Sequence, residues 1–377
     1  MKILIAAPAW PYRGGIAEFS NRLATQFKAE GNTVRIETFS LQYPSFLFPG
    51  KTQYTDSPAP EGLEIKRSMN SVNPLNWIKL GLKIRREKPD ILLLRFWLPF
   101  MGPCLGTISR IARGNKHTKV ICIFDNVVPH EKRPGDRILT KYLVNSIDGA
   151  IVMAGSVGED LKQFRTGIPV KMNPHPIFDT YGPVVTRQAA LEFLRLSGEH
   201  RYILFFGFIR AYKGLDMLLE AMSYPIVKKT GYRLIVAGEF YEDDAPYREL
   251  IRKNGLEENV ILFDHFIRDN EVPYFFCSAD LVVQPYKSAT QSGVTQIAFR
   301  YEKPMLVTDV GGLREILPDR KCGYVVQPDP NEISQAIADF FNNKKLEPFT
   351  ECVRQEKGKF AWERMTESII EVCNQTR

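Results

Sequence analysis

Short apolar runs alternate along the chain with segments whose apolar positions recur every three or four residues. In the first half the runs are "KILIAAPA" (2–9), "TVRIETFS" (33–40), "LEIKRSM" (63–69), "DILLLRFW" (90–97), "KVICIFDN" (119–126) and "GAIVMA" (149–154). They lack strict apolar/polar alternation, so each predicts a strand buried on both faces. The segment from Ile16 to Glu30 carries Phe19, Leu23 and Phe27 on one helical face and meets a stop at Gly31. Strands joined by such helices predict a parallel sheet covered on both sides. After the Pro/Gly-rich stretch "PHPIFDTYGPVVT" (174–186) the pattern restarts with "YILFFG" (202–207), "RLIVAGE" (233–239), "VILFDHF" (260–266), "LVVQPY" (281–286), "PMLVTDV" (304–310) and "GYVVQP" (323–328). The expectation is an α/β protein of two Rossmann-like, doubly wound domains facing a cleft. Ligands of such sheets bind at the carboxyl ends of the strands, and the space between the two domains is the expected site.

Length and composition fit this reading: 377 residues, 44% hydrophobic and 25% charged, suffice for two globular domains. Met1-Lys2 runs directly into "ILIAAPA" and then Trp10, Pro11 and Arg13, which does not read as a secretion signal. The stretch "ILLLRFWLPFMGPCLGTI" (91–108) is interrupted by Arg95, Pro99 and Pro103, so it predicts a buried strand and a helix start rather than a membrane span. Six cysteines without metal-binding spacing predict reduced thiols in a cytoplasmic protein. Charge changes the picture more. Residues 1–185 hold 25 Lys/Arg against 15 Asp/Glu, a balance of +10, while the remainder is −3. A basic first half predicts an anionic partner, and no nucleic-acid-binding motif accompanies it. The Pro-rich segment 43–62 adds Phe46, Leu47 and Phe48, an apolar loop of the length that often carries function.

Three strand-to-helix turns carry the candidate chemistry. In "FFGFIRAYKGLDMLLEA" (205–221), Gly207, Arg210, Lys213 and Gly214 lie between a strand and a helix with Leu215, Leu218, Leu219 and Met222 on one face. A guanidinium and an ammonium beside free helix-start amides make a clamp for two linked phosphates. In "LVVQPYKSATQSGVTQIAFRYEKP" (281–304), Ser292 is a candidate helix cap, and the amides of Gly293, Val294 and Thr295 face an anion. In "PAWPYRGGIAEF" (8–19), Gly14 and Gly15 allow close backbone approach to a ligand. The spacing is not the dinucleotide G-x-G-x-x-G, although Glu37 is read as ending the second strand. Glu239 and Phe266 end their apolar runs and are candidates to line a nucleoside pocket. The acidic "YEDDAPY" (241–247) reads as a helix-start cluster rather than a metal-binding D-x-D, and no metal site is expected.

Together these residues resemble the retaining glycosyltransferases of family 4, of GT-B fold. The blocks "FFGFIRAYKGLDMLLEA", "LIVAGEFY", "NVILFDHFI", "ADLVVQPY", "KPMLVTDVGGLREI" and "GYVVQPDP" fall in that family's order. The resemblance implies that Arg210 and Lys213 of G-x-x-R-x-x-K-G grip the donor diphosphate, and that Gly14 and Gly15 border donor phosphate and acceptor. It implies an E-x7-E pair as well, but this chain reads "SATQSGVTQIAF", similar to the S-G-V variant, with Thr295 or Gln296 left to meet a ribose hydroxyl. A histidine is expected after the fifth strand; here the strand ends in Asp125-Asn126, which makes the later His130 a candidate active-site group, with His175 in the linker as another loop histidine.

The resemblance further implies domains at 1–182 (acceptor side) and 186–359 (nucleotide-sugar side), with the final helix 360–377 returning to the first. The implied reaction moves a sugar from a nucleoside diphosphate donor to an acceptor hydroxyl with retained configuration, no metal and no cofactor beyond the donor. The expected acceptor is a cell-surface glycan or a polyprenyl-linked one, met at the cytoplasmic face of an anionic membrane. The alternatives are a nucleotide-sugar epimerase of the same fold, which needs an acid/base carboxylate pair, and a non-catalytic nucleotide-sugar-binding subunit.

Overall fold

A computed structural model describes residues 1–44, 53–55, 58–128, 133–177, 181–289 and 292–376. The chain forms two compact units, Met1–Pro174 with Trp362–Arg377, and His175–Ala361. The first sheet contains β1 (Lys2–Ala6), β2 (Thr33–Leu41), β3 (Glu64–Asn70), β4 (Ile91–Phe96), β5 (Lys119–Phe124), β6 (Gly149–Val152) and β7 (Val170–Met172). The second contains β8 (Tyr202–Phe206), β9 (Arg233–Ala237), β10 (Val260–Phe263), β11 (Leu281–Gln284), β12 (Met305–Thr308) and β13 (Gly323–Val326). The strand orders are β3-β2-β1-β4-β5-β6-β7 and β10-β9-β8-β11-β12-β13, with every paired strand parallel. Each is a doubly wound sheet, and all twelve apolar runs become strands.

The central strands bury both faces, as their lack of alternation requires, whereas β3 at the sheet edge is largely exposed. In the first unit Ile3, Ile5, Leu93 and Ile121 pack beneath the helices Gly15–Ala29 and Trp362–Gln375. Leu4, Leu92, Leu94 and Val120 pack against Pro74–Glu87, Gly102–Arg113 and Asp136–Val144 on the other side. The stretch 91–108 is a buried strand followed by a helix, and no described helix is long and apolar enough to cross a membrane.

Chain reversal fixes where each sheet receives a ligand. In the first, the chain adds β2 and β3 on one side of β1 and resumes with β4 on the other; in the second, β8 and β11 are the corresponding neighbours. The crevice outside the carboxyl ends of such a strand pair is the binding position of open α/β sheets.

Two features depart from the sequence reading. β7 was not anticipated: Val170 and Met172 are exposed, so this edge strand presents no buried apolar run. Cys322 and Cys352 form a disulfide rather than free thiols, because the turn before β13 lies beside the helix Leu346–Glu356, with the two Cα atoms 5.0 Å apart. The other four cysteines are free and buried.

The helix Trp362–Gln375 is seated on the first sheet by packing and polar contacts. Trp362 meets Phe19 edge-on at 5.0 Å, Thr366 donates to Glu30, and Ser368 donates to Asn173. Gly149 in β6 lies directly under Val372: an added Cβ would stand 2.4 Å from its Cγ1. Gly149→Ala is therefore expected to destabilise the first unit by about 1–3 kcal/mol, seen as a lowered thermal midpoint; an unchanged midpoint would mean that this helix does not seat there.

Candidate active site

The turn after β8 is shaped by two glycines. Gly207 has φ +95°, and a Cβ there would lie 2.9 Å from the Lys213 Nζ and 3.7 Å from the Val294 Cγ2. Gly214 has φ +69°, and a Cβ would strike the Pro285 carbonyl oxygen at 1.9 Å. Backbone conformation disfavours a side chain at both positions, and at Gly214 the Pro285 backbone leaves no space for one. The same distances show what converges: the β8 turn, Lys213, the end of β11 and the start of the helix Gly293–Arg300 meet in one place. This is the switch point of the second sheet.

Lys213 is the unusual member. Its side chain is 8% exposed, its Nζ sits 5.8 Å from the centre of the Tyr286 ring, and it has no ion pair among the described residues. Burial pushes its pKa down to about 8, and the nearby Arg210 charge adds to the shift. The closest acid in sequence, Asp216, is engaged by the Lys287 ammonium at 2.6 Å. Arg210 is exposed, its guanidinium 4.7 Å from the Tyr241 ring centre. Two cations held together without a carboxylate form a site for a polyanion.

Across the crevice, Gly293 is exposed and opens its helix. Ser292 precedes it but does not cap it. Its Oγ lies 3.3 Å from the Tyr286 hydroxyl instead, and it makes no hydrogen bond to the helix start. The first-turn amides are thus not occupied by the Ser292 side chain. Val294, Thr295 and Gln296 are buried. The Thr295 hydroxyl donates to the Gln284 side-chain oxygen at 3.1 Å, while both polar side-chain atoms of Gln296 lack a partner among the described residues.

Glu239 and Phe266 lie just beyond β9 and β10 rather than on them, since these strands end at Ala237 and Phe263. The Glu239 carbonyl accepts from the Ile209 amide, which ties its loop to the β8 turn. Phe266 is half exposed and, with Phe208 and Tyr241, forms an aromatic group whose ring centres are 4.4 Å (Phe208–Tyr241) and 6.1 Å (Phe208–Phe266) apart. The acidic cluster stands at a helix start as read, with Asp244 preceding Ala245–Lys253 and paired to Arg248.

In the first unit, Gly14 and Gly15 are exposed at the start of the helix Gly15–Ala29, at the β1 side of that sheet's switch point. At the carboxyl ends of β4 and β5 stands a pair that sequence reasoning did not join: Arg95 donates from Nε and Nη2 to Asp125 at 2.8 and 2.6 Å, with its guanidinium 3.8 Å from the Phe19 ring centre. Both residues sit at the ends of apolar runs, which was the available signal. Glu37 is not a ligand residue of this crevice. It lies within β2, fully buried, and binds Arg35, Lys83 and Ser68. His130 and the apolar triplet 46–48 lie outside the described residues. His175 opens the second unit, its Nδ1 2.7 Å from the Pro176 carbonyl.

Residues 200–343 match the family described as Glycosyl transferases group 1. An uncharacterized glycosyltransferase of Methanocaldococcus jannaschii is 24% identical, covering 99% of this chain and 97% of its own. The lipopolysaccharide core biosynthesis mannosyltransferase LpsB of Rhizobium meliloti is 23% identical over 54% of this chain and 58% of its own length. Among solved structures, Anabaena HepE in complex with UDP-glucose aligns with a TM-score of 0.72 at 14% identity, covering 99% of this chain and all of its own. Two parallel Rossmann-like sheets and the likeness to HepE give this chain the GT-B fold, with the group 1 match falling in its second unit.

Proposed function

We propose that the protein is a retaining, metal-independent glycosyltransferase that moves a sugar from a nucleoside diphosphate donor to an acceptor hydroxyl, in the synthesis of a cell-surface glycan. The observation that carries this is Lys213: a buried ammonium without a carboxylate, beside Arg210 and a helix start. A diphosphate satisfies all three at once. The complex of HepE with UDP-glucose supports a donor of that class, and the name of LpsB supports a glycan acceptor.

The chemistry follows from where charge develops. The bond from the anomeric carbon to the β-phosphate oxygen breaks, and its electron pair goes to the departing diphosphate. Lys213, Arg210 and the amides at Gly293 stabilise that charge, which leaves no role that requires a metal ion. The acceptor oxygen bonds the anomeric carbon from the face the diphosphate leaves, and its proton passes to a departing phosphate oxygen, so configuration is retained. Gly14 and Gly15 border the acceptor side, and Glu239 with Phe266 line the nucleoside side. The acceptor is a glycan, free or polyprenyl-linked, reached at a membrane surface.

Arg210→Ala and Lys213→Met should each lower kcat for transfer by on the order of 10²–10³, with the thermal midpoint of the free protein retained. Unchanged turnover would refute the assignment. Donor hydrolysis or epimerisation without transfer to any offered glycan would move the protein to another reaction class.

Lys213 also gives a pH signature. The unfolded chain holds this proton up to about pH 10.5 and the folded free protein up to about pH 8. Between those values only the unfolded state binds it, so stability of the unliganded protein rises with pH across the window. Diphosphate binding requires the charged form, so affinity should fall above pH 8 by up to about tenfold per pH unit. Calorimetric titration with the nucleoside diphosphate that most raises the thermal midpoint checks this. Lys213→Met should flatten the dependence.

A further inference from the structure

The helices Pro74–Glu87, Gly102–Arg113 and Asp136–Val144 cover one face of the first sheet side by side. Small residues let them approach closely: a Cβ at Gly81 would meet Ile111 at 2.9 Å, and one at Gly106 would meet the Tyr142 ring at 2.7 Å. Their outer sides are therefore continuous. An amphipathic helix ordinarily turns its apolar stripe inward. Pro74–Glu87 buries Leu80 and Ile84 but has a second stripe, Leu75, Ile78 and Leu82, exposed at i, i+3 and i+7. Leu75 is 77% exposed, and Ile138 on the third helix is 73% exposed. Neither this second stripe nor Ile138 belongs to the described core.

The charge on these helices is equally one-sided. They carry eight Lys/Arg against two carboxylates, Glu87 and Asp136. Lys83 is neutralised by Glu37, Arg113 by Asp148, and Glu87 is itself engaged by Arg35. Lys79, Arg85, Arg86, Arg110, Arg137 and Lys141 have no ion pair among the described residues. Exposed leucine and isoleucine between unpaired cations with long aliphatic stems match the water–lipid boundary of an anionic bilayer: the apolar groups enter the acyl edge while the charges reach the phosphates. A protein partner would have to supply six carboxylates around an exposed apolar stripe.

We propose that this three-helix face docks the protein on an anionic lipid surface. This identifies the surface for the membrane contact in the proposed function, yet it is read without turnover, so the two can fail separately. The test is flotation of the full chain with vesicles of phosphatidylcholine containing about 30% phosphatidylglycerol, against phosphatidylcholine alone. Binding is expected to the anionic vesicles only and to be lost at high salt. Lys79→Ala/Arg85→Ala/Arg86→Ala should weaken it by on the order of 100-fold, and Leu75→Glu/Leu82→Glu should abolish it. Ile138→Glu, on a separate helix, gives a second reading should the first pair disturb folding. The proposal is overturned by absence of binding, by equal binding to neutral vesicles, or by variants that bind like the parent chain. A concentration-dependent dimer that Leu75→Glu dissociates, without vesicle binding, would assign the face to a second copy instead.

Discussion

An ammonium withdrawn from water, with no carboxylate to answer it, is the demand around which the second unit is arranged. Burying Lys213 is unfavourable, and the neighbouring Arg210 makes it more so, as the lowered proton affinity of Lys213 records. The fold tolerates the cost because neighbouring elements hold the side chain in place. Gly207 leaves room for Nζ, Gly214 lets the turn pass the Pro285 carbonyl, and the Tyr286 ring stands below. The site is thus built strained in charge and complete in shape. An arriving diphosphate relieves the first without altering the second, which is the condition for electrostatic preorganisation.

The local acids are arranged so that they do not relieve it early. Asp216, in the first turn of the helix that follows, is held by Lys287. In the first unit the carboxylate at the end of β5 is likewise claimed, by Arg95, and the buried Glu37 by a lysine and an arginine. Fixed pairing elsewhere leaves Lys213 and Arg210 as the cations at their crevice without an acid among the described residues.

The architecture was legible because parallel strands buried on both faces are apolar without alternation, and helix stripes separate them. Where that signal weakens, so does the reading: β7 pairs at an edge with its side chains in solvent, and no periodic cue marks it. Residue types at the turns were legible too, but burial was not. The string R-x-x-K does not say that one cation is exposed and the other enclosed. That difference comes from Gly207 together with the β11 end, and the latter lies far away in sequence. Ser292 illustrates the same limit, since its hydroxyl meets Tyr286 rather than the helix amides. The Cys322–Cys352 bond joins residues separated by 30 positions and belongs to no spacing motif. The second stripe on Pro74–Glu87 was hidden because an exposed apolar face and a core face have the same period.

The path of the chain has a consequence for biosynthesis. The apolar layer over Ile3, Ile121 and Ile151 includes Trp362, Met365, Ile369 and Val372, whereas His175–Ala361 is one unbroken segment. On the ribosome, the later-coded unit can therefore be finished while the earlier one still lacks part of its covering. At ordinary elongation speeds the interval is on the order of ten to forty seconds. Throughout it, one face of a completed set of strands waits uncovered for the last helix to emerge, so newly made chains should depend on chaperones most while translation is still under way.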